Sequence, residues 1–130
     1  SRIVPTDSVI ISCVGDLGLV ALAGRELVIN QQLHAFLPSN KINNRFLLYS
    51  LSLQSDYMWR VATKTAVAYL NKDNCNSIPV IFPSAHEQQK IADCLSSLDE
   101  LLGAQTEKIE ELKMHKKGLM QGLFPIVLEN

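Results

Sequence analysis

The sequence predicts an α+β protein, in which a strand-rich first part is followed by one long α-helix that forms a coiled coil. Two observations lead to this prediction. Short apolar and β-branched runs, separated by turn residues, fill the first 82 residues. An apolar heptad repeat without a proline fills residues 84–124. We therefore divide the 130 residues into a strand-rich domain over 1–82, a helix over 83–124 and a tail over 125–130.

The first strands are predicted from an apolar run that stops at a glycine turn. Residues 7–13 end just before Gly15 and Gly18, which we expect in a tight turn at positive φ. Residues 19–22 then form the returning strand of a hairpin. Four more short runs predict strands at residues 27–29, 33–37, 67–70 and 78–82.

One helix is predicted inside this first part. Residues 43–51 carry apolar side chains spaced by three and four positions, as on one face of a helix. An Asn or Ser within residues 40–44 is expected to cap its first turn. Trp59 is the only tryptophan, and we place it in the core rather than on a surface that stacks against bases.

Residues 84–124 carry the clearest pattern in the chain. Ser84 and Glu87 form a capping box at the predicted helix start, and Pro125 ends the pattern. Between them, seam residues follow one another at alternating spacings of four and three, which places them on one stripe of the helix. These positions are Ile91, Leu95, Leu98, Leu102, Gln105, Ile109, Leu112, Lys116, Leu119 and Leu123. Such a stripe is longer than a small domain can cover, so we predict that it binds another helix. The alternative is a helix packed on its own domain.

Composition excludes several classes of protein. The formal net charge is −1, and residues 1–80 hold seven basic and five acidic residues, so any nucleic-acid surface must be local. Three cysteines without a C-x-x-C pair and three scattered histidines predict neither a disulfide framework nor a metal site. No apolar run approaches the roughly 20 residues of a membrane helix, and no signal peptide is visible. We therefore expect a cytoplasmic protein without membrane contact.

The motifs of common enzyme sites are missing. The sequence has no G-x-x-x-x-G-K-[ST] phosphate loop, no G-x-S-x-G elbow and no H-E-x-x-H pair. The carboxylates of the first part stand singly, at Asp7, Asp16, Glu26, Asp56 and Asp73. We expect no catalytic residue, no cofactor and no metal. A Cys/His nucleophile brought together only by the fold is the alternative.

Around the start and end of the long helix the sequence becomes specific. The residues that carry this signal are Pro83, Glu87, Gln88, Ile91, Leu95, Leu98 and Asp99, followed by the Lys- and Leu-rich stretch over 109–124. They closely resemble the specificity (S) subunit of type I restriction–modification systems. Residues 1–80 are similar to the C-terminal part of that family's target-recognition domain, and Lys64 stands where a glycine is usual in the family.

The resemblance implies a function. A target-recognition domain of this family reads one half of a bipartite site in double-stranded DNA. The long helix pairs antiparallel with its counterpart and docks the methyltransferase (modification) subunits, through which the restriction subunit joins. Catalysis with S-adenosylmethionine and ATP belongs to those partners.

This chain matches only part of one recognition domain and one helix, and it begins at Ser1 without a Met. We therefore expect a truncated or half specificity subunit that forms a homodimer. The alternative is a remnant that dimerises or assembles through its helix and no longer binds DNA.

The polar residues of the first part are the candidates for DNA contact. Arg60, Thr63, Lys64 and Thr65 occupy one irregular stretch, which suits contacts to phosphates and base edges. Further candidates are the basic Lys41, Arg45 and Lys72, and the amides Asn30, Gln31 and Gln32, which suit adenine edges. For each of them the alternative is a solvated surface residue or an amide that stabilises a loop.

Overall fold

A computed structural model describes residues 1–124. Their elements, in chain order, are β1 (Arg2–Val4), β2 (Val9–Ser12), β3 (Val20–Leu22), β4 (Leu27–Ile29), β5 (Leu33–Phe36), α1 (Asn44–Ser52), α2 (Ser55–Val61), β6 (Thr63–Lys64), β7 (Ala68–Tyr69), α3 (Lys72–Asn76) and α4 (Ala85–Leu123). The predicted α+β class, with a strand-rich first part and a long helix, is confirmed. The predicted tail over 125–130 and the helix stop at Pro125 lie outside the described residues.

The chain divides into two compact units, Ser1–Asp93 and Cys94–Asn130. In the first unit β2 is the central strand of an antiparallel sheet with the order β3-β2-β5, and Ile10 pairs with Ala21 on one side and Ala35 on the other. The strands β1 and β4 form a second antiparallel pair, and β6 and β7 form a third.

The hairpin predicted from the glycine turn is confirmed, because β2 pairs with β3. Gly15 has a φ of 78° and Gly18 a φ of 96°, values that side chains with a Cβ rarely adopt. The turn therefore depends on both glycines.

Both faces of β2 are buried. Val9 and Ile11 belong to a core cluster with Leu51 of α1 and Met58 of α2. Ile10, whose side chain points to the opposite face, belongs to a second cluster with Val4, Ile29 and Ala35. This explains why residues 9–11 form a continuous apolar run rather than an alternating one.

The helix α1 is confirmed close to its predicted bounds. Its cap is Asn43, whose side-chain oxygen Oδ1 accepts a hydrogen bond from the Phe46 N–H at 2.9 Å. The helices α2 and α3 and the strand β1 were not predicted, because segments of three to seven residues are too short to show a helical or strand period.

Two predictions in the first unit are wrong. The structure has no strand at residues 78–82, where Pro79 lacks the N–H that a strand pairing needs. Trp59 is 42% exposed rather than in the core, because its neighbour Met58 is the residue of α2 that faces the core. The strand predicted at 67–70 is present but short, as Ala68–Tyr69.

The long helix α4 has 39 residues. The Glu87 N–H donates to Ser84 Oγ at 3.3 Å, which confirms Ser84 as the cap of the first turn. Gln88 and Ala92 are the buried residues of the helix, whereas every residue from 97 to 124 is exposed. None of the helices in residues 1–124 combines the length and hydropathy needed to cross a membrane.

Candidate functional site

Four predicted DNA-contact residues follow one another through two elements and a turn. Arg60 is in the last turn of α2, Thr63 and Lys64 form β6, and Thr65 begins the turn to β7. The Thr65 hydroxyl donates to the Val67 carbonyl at 2.9 Å, a hydrogen bond within the turn. Arg60, Lys64 and Thr65 are exposed. Their charges and hydroxyls are therefore available to an external ligand.

The hairpin of β6 and β7 is anchored to the region that follows β2. The Gly15 N–H donates to the Ala68 carbonyl at 3.0 Å, and the Leu70 N–H donates to the Cys13 carbonyl at 2.8 Å. Backbone hydrogen bonds of this kind fix the base of the hairpin. The exposed turn is thus presented by a rigid support.

Lys72 joins the same region through α3. The Asn71 side chain caps α3 by accepting from the Asn74 N–H at 2.8 Å. The Asn74 side chain then donates to the Val61 carbonyl at 2.9 Å, which ties α3 to the end of α2. The helix that begins at Lys72 and the helix that ends next to Arg60 are therefore held together.

His34 and Arg2 are basic residues that the sequence did not single out. A concave surface of about 220 Å³ is lined by both of them, together with Asn30 and Gln31. Burial, followed by the positive charges of Arg2 and Lys72, holds the pKa of His34 below its usual value. No sequence pattern links these residues, because pairing of β1 with β4 and of β5 with β2 brings them together.

The amide candidates differ in the hydrogen bonds that they form within the protein. Asn30 Oδ1 accepts from the Gln32 N–H at 2.9 Å, and the Gln32 carbonyl accepts from the Cys13 N–H at 2.8 Å. Asn30 thus stabilises its own turn, which was the alternative for this residue. All three amide side chains, those of Asn30, Gln31 and Gln32, are on exposed residues.

Lys41 and Arg45 belong to the turn before α1 and to α1 itself, rather than to the β6–β7 hairpin or α3. The Lys41 N–H donates to Ser39 Oγ at 3.2 Å in the turn before α1. Arg45 lines a surface depression of about 300 Å³ together with two carboxylates, Asp7 and Asp93. That depression contains none of the basic residues of the hairpin or of α3. Its mixed charge suits a phosphate less well than the surface around Lys64 and Lys72.

The predicted seam of α4 is an exposed apolar stripe. Leu98, Leu102 and Leu112 are 51%, 65% and 55% exposed. The strict spacing missed three large apolar residues that are also exposed on the helix, namely Leu101, Met114 and Met120. A signal for Leu101 was present, because it lies three positions from Leu98.

The two buried thiols contact each other. Cys13 Sγ and Cys75 Sγ are 3.5 Å apart in the core of the first unit. Their hydrogen bond and the burial of the pair raise the pKa of the Cys13 thiol. It therefore stays protonated. Within residues 1–124, no three side chains of His, Cys, Asp or Glu come together as metal ligands would.

Comparison with known protein families shows to which family this chain belongs. The family described as "Type I restriction modification DNA specificity domain" matches residues 1–114. The chain belongs to this family. The specificity subunit of the type I restriction enzyme MjaVIII from Methanocaldococcus jannaschii is a relative, 30% identical over 102 residues. That alignment covers 78% of this chain and 24% of the relative.

Solved structures show the same fold for this specificity domain. A type I restriction-modification S subunit from M. genitalium superposes with a TM-score of 0.75 and 20% identity, over 93% of this chain and 33% of the other. A second solved chain comes from a structural study of complex assembly and conformational transition of the type I restriction-modification system. It superposes with a TM-score of 0.77 and 20% identity, and the match covers 94% of this chain and 30% of the other. The present chain thus spans about a quarter to a third of the proteins it matches.

Proposed function

We propose that this chain recognises DNA and supports complex assembly as a specificity subunit, or half of one, of a type I restriction–modification system. The observation that carries the proposal is the placement of Arg60, Lys64 and Lys72 on exposed positions of elements tied together by hydrogen bonds. In this role the chain performs no catalysis itself. It works in the cytoplasm with methyltransferase subunits and, through them, with the restriction subunit.

The DNA face is formed by the end of α2, the turn between β6 and β7, and the start of α3. Cations contact phosphates and fix the orientation of the protein on the duplex. The hydroxyls of Thr63 and Thr65 stand among these cations and suit either phosphates or base edges. Lys41 and Arg45 form a secondary group of contacts, since acidic residues stand beside Arg45.

The apolar stripe of α4 serves assembly. Seven seam residues of the helix are at least 40% exposed, namely Ile91, Leu98, Leu102, Ile109, Leu112, Leu119 and Leu123. Burying them against a second helix removes apolar surface from water, at about 25 cal/mol per Å². We infer that two copies of the chain pair antiparallel along this stripe, and that the pair docks methyltransferase subunits.

The first experiment measures DNA binding by the purified chain, with and without its methyltransferase subunit, over a series of salt concentrations. We expect sequence-selective binding that strengthens with the subunit and weakens as salt rises, because phosphate contacts release counterions. The double variant Arg60→Gln/Lys64→Gln tests the proposed face. Arg25→Gln, an exposed basic residue between β3 and β4, is the control.

The alternative is a remnant that assembles without reading DNA. It predicts a stable complex with the methyltransferase subunit, but no difference in affinity between specific and random duplexes. The exposed stripe of α4 suits this alternative as well as the main proposal. The two are separated only by the DNA-binding measurement.

A further inference from the structure

His34 is held in a defined place on the sheet. It lies in β5, opposite Ile11 of the central strand β2. Its ring meets the Phe36 ring edge-on, with centroids 4.8 Å apart and an interplanar angle of 76°. The ring therefore has a defined orientation beside the sheet.

Two cations from other elements lie near this ring. Arg2 of β1 lines the same concave surface as His34. The positive charges of both Arg2 and Lys72 act on the imidazole. Arg2 of β1 and His34 of β5 therefore meet at one concave surface, on which Lys72 of α3 exerts a further positive charge.

These charges are not balanced by the protein around them. Among residues 1–124, the ion pair that forms is Lys113 with Glu110 on α4, and neither Arg2 nor Lys72 lies within 4.0 Å of a carboxylate oxygen. Asp73 is next to Lys72 along α3, but neighbours in sequence do not face each other on a helix. The concave surface that Arg2 and His34 share is lined by two amide side chains and no carboxylate, so it is complementary to an anion.

We propose that Arg2 and His34, supported by the positive charge of Lys72, form a binding site for one phosphate group of the DNA backbone. This inference rests on the proposed DNA-recognition function and deepens it, because Arg2 and His34 lie outside the face assigned above. Asn30 and Gln31 line the same surface. A phosphate held here brings the neighbouring base edges within reach of their amides.

The test compares Arg2→Gln, Lys72→Gln and the double variant with Arg25→Gln, which removes one exposed positive charge elsewhere on the same unit. We expect each single variant to weaken binding to specific and random duplexes alike, by about three- to tenfold, and to reduce the salt slope by about 1. Arg25→Gln should leave the slope unchanged. Equal affinities and slopes for wild type and Arg2→Gln would overturn the inference while leaving the proposed function intact, because Lys72 already belongs to the proposed DNA face and Arg2 does not.

A second readout does not depend on DNA recognition. The imidazole resonances of His34 are followed by NMR while inorganic phosphate, and separately a short duplex, is added to the full chain. We expect both additions to shift the His34 signals in wild type and neither to do so in the double variant.

If the wild-type chain fails to bind any duplex but phosphate still shifts His34, the anion site stands and the proposed function fails. If neither addition shifts His34, the site itself is wrong. Circular dichroism of each variant checks the fold, which we expect to be retained because Arg2 and Lys72 are exposed.

Discussion

Among the glycines of the first unit, Gly18 is the position at which an added methyl group should lower the free energy of unfolding most. Its φ is 96°, and a Cβ built there would lie 2.5 Å from Ser55 Oγ and 3.2 Å from Ser55 Cα. Gly15 also has a positive φ, 78°, but has nothing within 4 Å of the added atom. Gly24 has neither constraint. The three positions separate backbone strain from steric overlap.

We expect Gly18→Ala to lower the free energy of unfolding by about 3 kcal/mol and Gly15→Ala by about 1–2 kcal/mol, since only the first combines strain with a clash. Gly24→Ala, as the control, should change it by less than about 0.5 kcal/mol. Urea denaturation of the four proteins gives these values. Equal losses at positions 15 and 18 would mean that Ser55 moves aside freely.

His34 predicts a pH dependence of stability. Burial and the charges of Arg2 and Lys72 lower its pKa in the folded state below the ordinary value of 6.5. The imidazole of His34 therefore binds a proton more readily in the unfolded chain than in the folded chain. This contribution to stability is complete above pH 6.5 and is lost as the pH falls below that value.

The measurement is the free energy of unfolding between pH 5 and 7.5 in a buffer free of phosphate. Wild type should lose stability toward the acidic end, and His34→Gln should lose less. His86→Gln replaces an exposed histidine and should follow the wild-type curve. A slope that survives in His34→Gln would assign the effect to other groups.

At this scale the sequence singled out some residues of the proposed DNA surface and not others. Lys64 and Thr65 were proposed because they stand in a polar stretch between apolar segments. Arg2 and His34 were not, because their neighbourhood is created by strand pairings between distant segments. Trp59 was misplaced, because burial within a helix depends on which side faces the core and hydrophobicity alone does not reveal it.

Among the elements, α4 makes the sharpest prediction about association. Leu98→Lys/Leu102→Lys places two charges in the exposed seam and should abolish self-association, since burying unpaired charges in a helix pair is costly. Ala104→Lys/Glu107→Gln changes the net charge by the same amount at positions outside the seam. It should leave association intact. Analytical ultracentrifugation distinguishes the two, and an unchanged oligomer in the seam variant would refute seam pairing.

The length of each helix or strand determined whether the sequence could predict it. The helices α1 and α4 have nine and 39 residues, enough to show a helical spacing and a capping residue. The helix α3 has five residues, and its cap Asn71 begins a run of polar residues that suggests a turn instead. The strand β1 has three residues and depends on β4 for its hydrogen bonds.

At the scale of the whole molecule, the question is where the first folding unit ends. The sequence places the boundary after residue 82, whereas the compact unit of the structure extends to Asp93. Gln88 is 3% exposed. Its Oε1 accepts from the Asn43 N–H at 3.0 Å, and its Nε2 donates to the Pro83 carbonyl at 3.0 Å. Gln89 Oε1 accepts from the Asn43 side chain at 2.9 Å.

The start of α4 is thus bound to the residue that caps α1. A chain ending at 82 loses these hydrogen bonds and the burial of Ala92, which is 0% exposed. It also leaves the Asn43 N–H without the partner that it has in the full chain. Such losses amount to roughly 2 kcal/mol. For a domain of this size they lower the melting temperature by about 10 °C.

Two truncations test this division of the molecule. The chain 1–93 should unfold in one cooperative transition, within a few degrees of the full chain, whereas 1–82 should melt about 10 °C lower. Because 1–93 lacks the seam from Leu95 onward, it should be monomeric and keep its DNA affinity per copy. Thermal denaturation and ultracentrifugation give both results. If 1–82 proves as stable as 1–93, the hydrogen bonds of Gln88 contribute nothing to the fold, and the first turns of α4 belong functionally to the assembly helix alone.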